Sequence, residues 1–170
     1  GVFEMMNEEK EFNFEEVYTK NSLTVYHIAY SYLKNEEDAK DIHQEVFIKY
    51  LTKNPKIKKF EEVKYWLIRV TINECINFIN YKKKHSIELN DEVINKIKNN
   101  EVNEENIIYS FVCDLEPIYK DIIILFYYDN MSTKEIAKLL KKKESTIRMR
   151  LHRARNILKE RMEENENGSK

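Results

Sequence analysis

The chain has 170 residues, a formal net charge of −1, 42% apolar residues and 35% charged residues, which is enough to fill the cores of one or two small domains. Its two glycines are Gly1 and Gly168, so glycine-rich phosphate loops of the Walker or dinucleotide type are excluded, because both bring glycine backbone against phosphate. Scarce glycine and proline, with abundant Glu, Lys, Leu and Ile, predict an all-α fold.

In chain order, a first helix is predicted from about Phe14 to Leu33. Asn35 is placed to cap a second helix, with Glu36, Glu37 and Asp38 in the first turn where the helix dipole favours them, running to about Thr52. A loop holding Pro55 precedes a third helix, from about Val63 to Lys82. Residues 85–105 are polar, acidic and asparagine-rich, as expected of a linker. Pro117 suits the first turn of a helix reaching Tyr127. Ser132 and Glu135 form a capping box that opens a short helix to Leu140. The run Lys141–Lys143 turns the chain, and a last helix starts at Ser145 or Thr146. The expected architecture is two small helical domains joined by an acidic linker. An N-terminal domain of three or four helices occupies 1–84, the linker 85–105, a C-terminal helix-turn-helix domain 106–163, and a flexible tail 164–170.

Cys75 and Cys113 lack CxxC spacing and read as reduced core thiols. The four histidines are scattered without HExxH spacing, so no metal site is expected; no cofactor is expected either. The longest apolar run, Ile122 to Tyr128, is far short of the ~20 residues that span a bilayer, and no signal segment opens the chain; a soluble, cytoplasmic protein is expected. The small net charge hides alternating blocks: −5 over 1–54, +5 over 55–84, −7 over 85–131, +8 over 132–162 and −2 over 163–170. Such alternation predicts separate faces for different partners, and two basic blocks suggest two contacts with one polyanion.

The +8 block contains the densest pattern. Ile147, Leu151, Ala154 and Leu158 fall on one helical stripe that must pack on Ile136, Leu139 and Leu140. Arg148, Met149, His152, Arg153 and Asn156 then face outward, with Arg150 and Arg155 flanking. A short capped helix, a tight turn and a longer basic helix make a helix-turn-helix, whose second helix can enter a major groove while flanking arginines meet phosphates. The plainer reading is a solvated basic helix in a bundle.

Upstream, Ala39, Ile42, Val46 and Tyr50 form an inner stripe, while Asp41, Gln44, Glu45 and Ile48 point outward together. An isoleucine among carboxylates suits an interface, although isolated surface isoleucines are also ordinary. On the third helix, Leu67 and Val70 lie on one side and Ile68, Ile72 and Ile79 on another. Trp66, Arg69 and Asn73 share a third side, near Lys56, Lys58, Lys59 and Lys64. Aromatic and basic groups together suit unstacked single-stranded bases; a plain core tryptophan is the alternative.

These segments resemble a known family. "STKEIAKLLKKKESTIRMRLHRARNILKE" is similar to the minus-thirty-five-reading domain of bacterial sigma factors of the extracytoplasmic-function type, and "LEPIYKDIIILFYYDNM" to the helix before it. "NEEDAKDIHQEVFIKYL" resembles the family's helix that binds the polymerase clamp coiled coil. "VKYWLIRVTINECINFINYKKK" resembles its promoter-melting helix. Lys141 stands where the family often has glycine, so a left-handed turn is expected at Lys141 or Lys142. Ile72, Asn77 and Asn80 also depart from the family's usual arginine, aspartate and arginine.

The resemblance implies a non-enzymatic alternative sigma factor of two domains. It implies core RNA polymerase binding through Asp41, Gln44, Glu45 and Ile48, with the clamp coiled coil and the flap as docking points. It implies minus-ten contacts from Lys58, Lys59, Trp66, Arg69 and Asn73, with the loop from Lys53 to Glu62 pocketing a flipped base. Minus-thirty-five contacts are implied for Thr146, Arg148, Met149, Arg150, His152, Arg153, Arg155 and Asn156. The linker would run through the polymerase toward the RNA exit channel. Promoter DNA and an anti-sigma factor, often membrane-bound, are the further partners implied; no small-molecule substrate is. The other readings are a stand-alone helix-turn-helix regulator that binds duplex without polymerase, and a helical adaptor with no DNA role.

Overall fold

The computed structural model describes residues 12–85 and 104–168, and the described part is all-α. The helices are α1 (Phe14–Leu33), α2 (Glu36–Lys53), α3 (Phe60–His85), α4 (Glu104–Cys113), α5 (Pro117–Ile123), α6 (Thr133–Leu140) and α7 (Glu144–Gly168), with a π-helical segment at Ile124–Tyr128. The expected linker, apart from residues 85, 104 and 105, lies outside the described residues.

Local chemistry sets the helix ends. Asn13 Oδ1 accepts from the backbone N–H of Glu15 at 2.9 Å, and Asn35 Oδ1 from that of Asp38 at 2.9 Å, satisfying donors that the first turn leaves unpaired. Ser132 and Glu135 close a reciprocal capping box: Ser132 Oγ accepts from Glu135 N–H at 3.1 Å, and Glu135 Oε2 accepts from Ser132 N–H at 2.9 Å. Without internal glycine, left-handed positions fall to lysine and asparagine. Lys34, Asn54, Asn130 and Lys141 have φ of 52°, 41°, 53° and 54°. At the end of α6, Lys142 N–H donates to Ala137 O at 2.9 Å across Lys141, the bond pattern that usually recruits glycine.

Three helices differ in their bounds from those expected. The third helix starts at Phe60 and ends at His85, three residues longer at each end. The helix from Pro117 widens to π geometry after Ile123: Asp129 N–H reaches back five residues to Ile124 O at 3.2 Å. The last helix continues through Gly168, across most of the segment expected as a flexible tail; Glu164 and Glu166 there are good helix formers.

In the first cluster Val17, Val25, Ile42, Val46, Val63 and Leu67 interlock α1, α2 and α3. A second cluster joins α4 to α7 through Val112, Ile123, Leu125, Ile136, Ile147 and Leu151. Each fully buried aliphatic side chain contributes about 1.5–3 kcal/mol. The second cluster also takes in Ile28 from α1 and Ile68 from α3, with Tyr32, Tyr65 and Ile72 packed against it. The two halves of the chain therefore share a core.

Candidate nucleic-acid and polymerase interfaces

Helix α7 is built as its stripe demands. Ile147, Leu151 and Ala154 are buried, and Leu158 is half-buried. The opposite face leaves Arg148, Met149, His152, Arg153 and Asn156 exposed, with Thr146 and Arg150 half-buried beside it. Arg148 lies 3.4 Å from Glu144 Oε1, and that same oxygen accepts from Thr133 Oγ1 at 3.0 Å. Glu144 thus ties the start of α7 to the start of α6, fixing the angle between the two helices of the motif. Asn156 Nδ2 and His152 Nε2 are 3.3 Å apart. Arg155 is exposed but engaged: its Nε donates to Tyr127 OH at 2.5 Å, and its guanidinium sits 5.6 Å and 5.5 Å from the Phe126 and Tyr127 ring centres. The π segment positions those two rings, so Arg155 braces α7 against its neighbour.

On α2, Ala39, Ile42 and Val46 are buried and Tyr50 half-buried, while Asp41, Gln44, Glu45 and Ile48 are all exposed. Ile48 is 49% exposed. Leu51, one turn on, is 55% exposed and extends the apolar strip, a residue that i, i+3 spacing from Ile48 marks in the sequence. Lys49 pairs with Glu74 of α3 and lies 3.6 Å from Glu45, fastening the helix while its outer face stays open.

On α3, Arg69 and Asn73 are exposed, as are Lys58 and Lys59 in the preceding loop. Trp66 is half-buried, packed on the first core with its ring 5.8 Å from Tyr50 at 65°. It is therefore partly core and partly open, on the same side of α3 as Arg69. Lys64 does not join this basic side. It points to the far side of α3, where it meets Asp129 Oδ2 at 2.6 Å.

That pair belongs to a set of contacts between the two halves that local sequence patterns do not reveal. Thr24 Oγ1 donates to Asp129 Oδ1 at 2.6 Å. Tyr32 OH lies 2.9 Å and 3.0 Å from the two Asp121 oxygens. Lys120 is buried and donates to Ser31 O at 2.9 Å, capping carbonyls at the end of α1 where the helix dipole favours a cation. Tyr109 OH donates to His27 O at 2.6 Å. Burial pushes the Asp121 carboxyl up to about 6, against the opposing pull of Tyr32 and Lys120, and pushes the Lys120 ammonium down.

Among the described residues no cluster of His, Cys, Asp and Glu is arranged to hold a metal, and no helix is long and apolar enough to cross a membrane.

Comparison with known proteins agrees with this geometry. The family model described as Sigma-70 region 2 matches residues 17–85, and that described as Sigma-70, region 4 matches residues 105–158. RNA polymerase sigma factor SigV of Bacillus subtilis is 28% identical over 143 residues, covering 83% of this chain and 86% of that protein. ECF RNA polymerase sigma factor SigW of the same organism is 28% identical over 155 residues, covering 81% and 82%. The fold matches that of the sigma factor RpoE from Bartonella quintana, solved in complex with the anti-sigma factor NepR, with a TM-score of 0.69 at 18% identity over 88% of this chain and 96% of that one. With two regions of one family matched in order over most of its length, the chain belongs to the sigma-70 family, in the extracytoplasmic-function group.

Proposed function

We propose that the exposed surfaces divide promoter recognition on core RNA polymerase among them. As a member of its family the chain is an alternative sigma factor that directs the polymerase to promoters. In this division, Asp41, Gln44, Glu45 and Ile48 dock on the clamp coiled coil. Lys58, Lys59, Trp66, Arg69 and Asn73 receive the unstacked minus-ten strand. Arg148, Met149, His152, Arg153 and Asn156 read the minus-thirty-five major groove, with Thr146, Arg150 and Arg155 on the phosphate side. The chain supplies specificity and no catalytic step. Its domains divide near 1–84 and 106–163, and the acidic segment between them threads the polymerase where nucleic acid would otherwise lie. It works in the cytoplasm, and an anti-sigma factor restrains it, as the anti-sigma complex of the structural relative suggests.

The observation that carries this reading is the recognition helix, whose apolar stripe is buried while its cationic face is open. The test is gel filtration of the purified chain with core polymerase and, separately, with promoter duplex. Co-elution with polymerase is expected. Tight, sequence-specific duplex binding by the free chain without polymerase association points instead to a stand-alone regulator.

A further inference from the structure

Residues 132–162 carry eleven basic side chains against three carboxylates, Glu135, Glu144 and Glu160. Glu135 is engaged in the capping box of α6, and Glu160 lies about four turns further along α7. Glu144 alone stands at the start of α7, on the motif that faces DNA. A carboxylate there repels the phosphates that its basic neighbours attract, and so costs affinity. A first-turn carboxylate suits the helix dipole, but the dipole asks nothing of Thr133 or Arg148. Glu144 Oε1 accepts from Thr133 Oγ1 at 3.0 Å and lies 3.4 Å from Arg148 Nη2, one turn on. Among the described residues, Arg148 is the one arginine of α7 paired with a carboxylate. Both partners are open to solvent, so the pair adds little stability.

We propose that Glu144 is a positioning residue for base selection: anchored by Thr133, it holds the Arg148 guanidinium in one orientation, and Arg148 so held selects a guanine in the minus-thirty-five element. This rests on the proposed reading of Arg148 in the major groove. A guanidinium is a planar fork of five N–H donors with no acceptor. Two of those donors match O6 and N7 of guanine, while adenine sets its N6 amine, a donor, against the fork. Glu144 meets the fork from the protein side, at Nη2. An unheld arginine can turn to the phosphates instead, where contacts carry no sequence information. One held beforehand has less freedom left to lose on binding. The anchor is firm, because Thr133 opens α6, whose Ile136 and Leu139 share a core with Ile147 and Leu151 of α7.

The test uses the full chain with core polymerase on a promoter active with the wild type. Each minus-thirty-five base pair is replaced in turn by its three alternatives, and initiation rates are compared. Arg148→Ala is expected to flatten the preference at one pair, where the wild type favours guanine by about fivefold or more. Glu144→Ala is expected to flatten that same pair and no other, while raising initiation on the mismatched templates, since a charge facing phosphate is gone. The double variant is expected to flatten it no further than either single change. Glu144→Gln keeps an oxygen acceptor for both partners and is expected to fall between Glu144→Ala and the wild type. Thr133→Val, which removes the anchoring donor and keeps the shape, is expected to weaken the preference at that pair as well. A purely structural role for Glu144 lowers initiation on all templates alike and leaves the ratios between bases unchanged; that result overturns the inference. Should Glu144→Ala lose helicity, wild-type selectivity in both Glu144→Gln and Thr133→Val overturns it instead. If Arg148→Ala flattens no pair, the groove reading of Arg148 itself fails and the inference falls with it.

Discussion

The hydroxyl of Tyr32, near the end of α1, sits between both carboxylate oxygens of Asp121 on α5, 89 positions away in sequence, at 2.9 and 3.0 Å. Asp121 is half-buried as a residue, with its carboxyl group as the enclosed part. Burial holds that carboxyl at about 6, above its ordinary 3.8, so the folded chain binds a proton there more tightly than the unfolded chain. The stabilisation from this proton is full below about pH 4 and is lost as pH rises to about 6. His27 and His43 are shifted the other way by burial: each favours folding above its ordinary range and loses that contribution as pH falls. The variant D121N separates the effects. The stability difference, wild type minus D121N, is expected to fall by about 1–3 kcal/mol between pH 4 and 7, measured by urea denaturation at several pH values. A flat difference contradicts the assignment.

Lys141 is held at φ 54° to end α6. A lysine in that region costs about 1 kcal/mol or more relative to glycine, offset in part by the greater unfolded freedom of glycine. Lys141→Gly is therefore expected to raise stability by about 0.5–1 kcal/mol, seen as a higher thermal midpoint. A lower midpoint shows that Lys141 contributes something other than the turn.

Ile48 lies on the open face of α2, so Ile48→Asp is expected to leave helicity and thermal stability nearly unchanged while weakening core polymerase binding tenfold or more, about 1.4 kcal/mol. Titration of labelled chain with core polymerase reads this directly. Unchanged affinity removes this face from the interface.

Arg148→Ala and Arg153→Ala should each cost about 1–3 kcal/mol in promoter-dependent initiation and leave polymerase affinity intact. Arg155→Ala should behave differently, because Arg155 binds Tyr127 and stacks on Phe126: it is expected to lower thermal stability as well as initiation. The comparison needs only transcription and melting curves of three variants.

Much of this was legible in the sequence wherever a signal is local. The Ser132–Glu135 box, Pro117 and the Asn35 cap each act within one turn, and the stripe through Ile147, Leu151 and Ala154 follows from helical period alone. The strained turn at Lys141 was legible from a missing glycine. The π segment was not, because the run Ile122–Tyr128 is apolar throughout and has no periodicity to break. The docking of the halves was also hidden. Lys120 and Asp121 find their partners in Ser31 and Tyr32, 89 positions upstream, and no spacing rule connects such pairs. Lys64 shows the same limit: its charge suggested the basic side of α3, but its place on the helix turns it to Asp129.

Whether this chain gives core RNA polymerase its promoter is read out by run-off transcription with purified core polymerase, the chain and a template carrying a promoter that responds to its overexpression. A discrete run-off transcript is expected only when both proteins are present, abolished by Ile48→Asp at limiting chain and reduced by Arg148→Ala. Specific duplex binding by the chain with no transcript, and no association with core polymerase, would contradict that expectation.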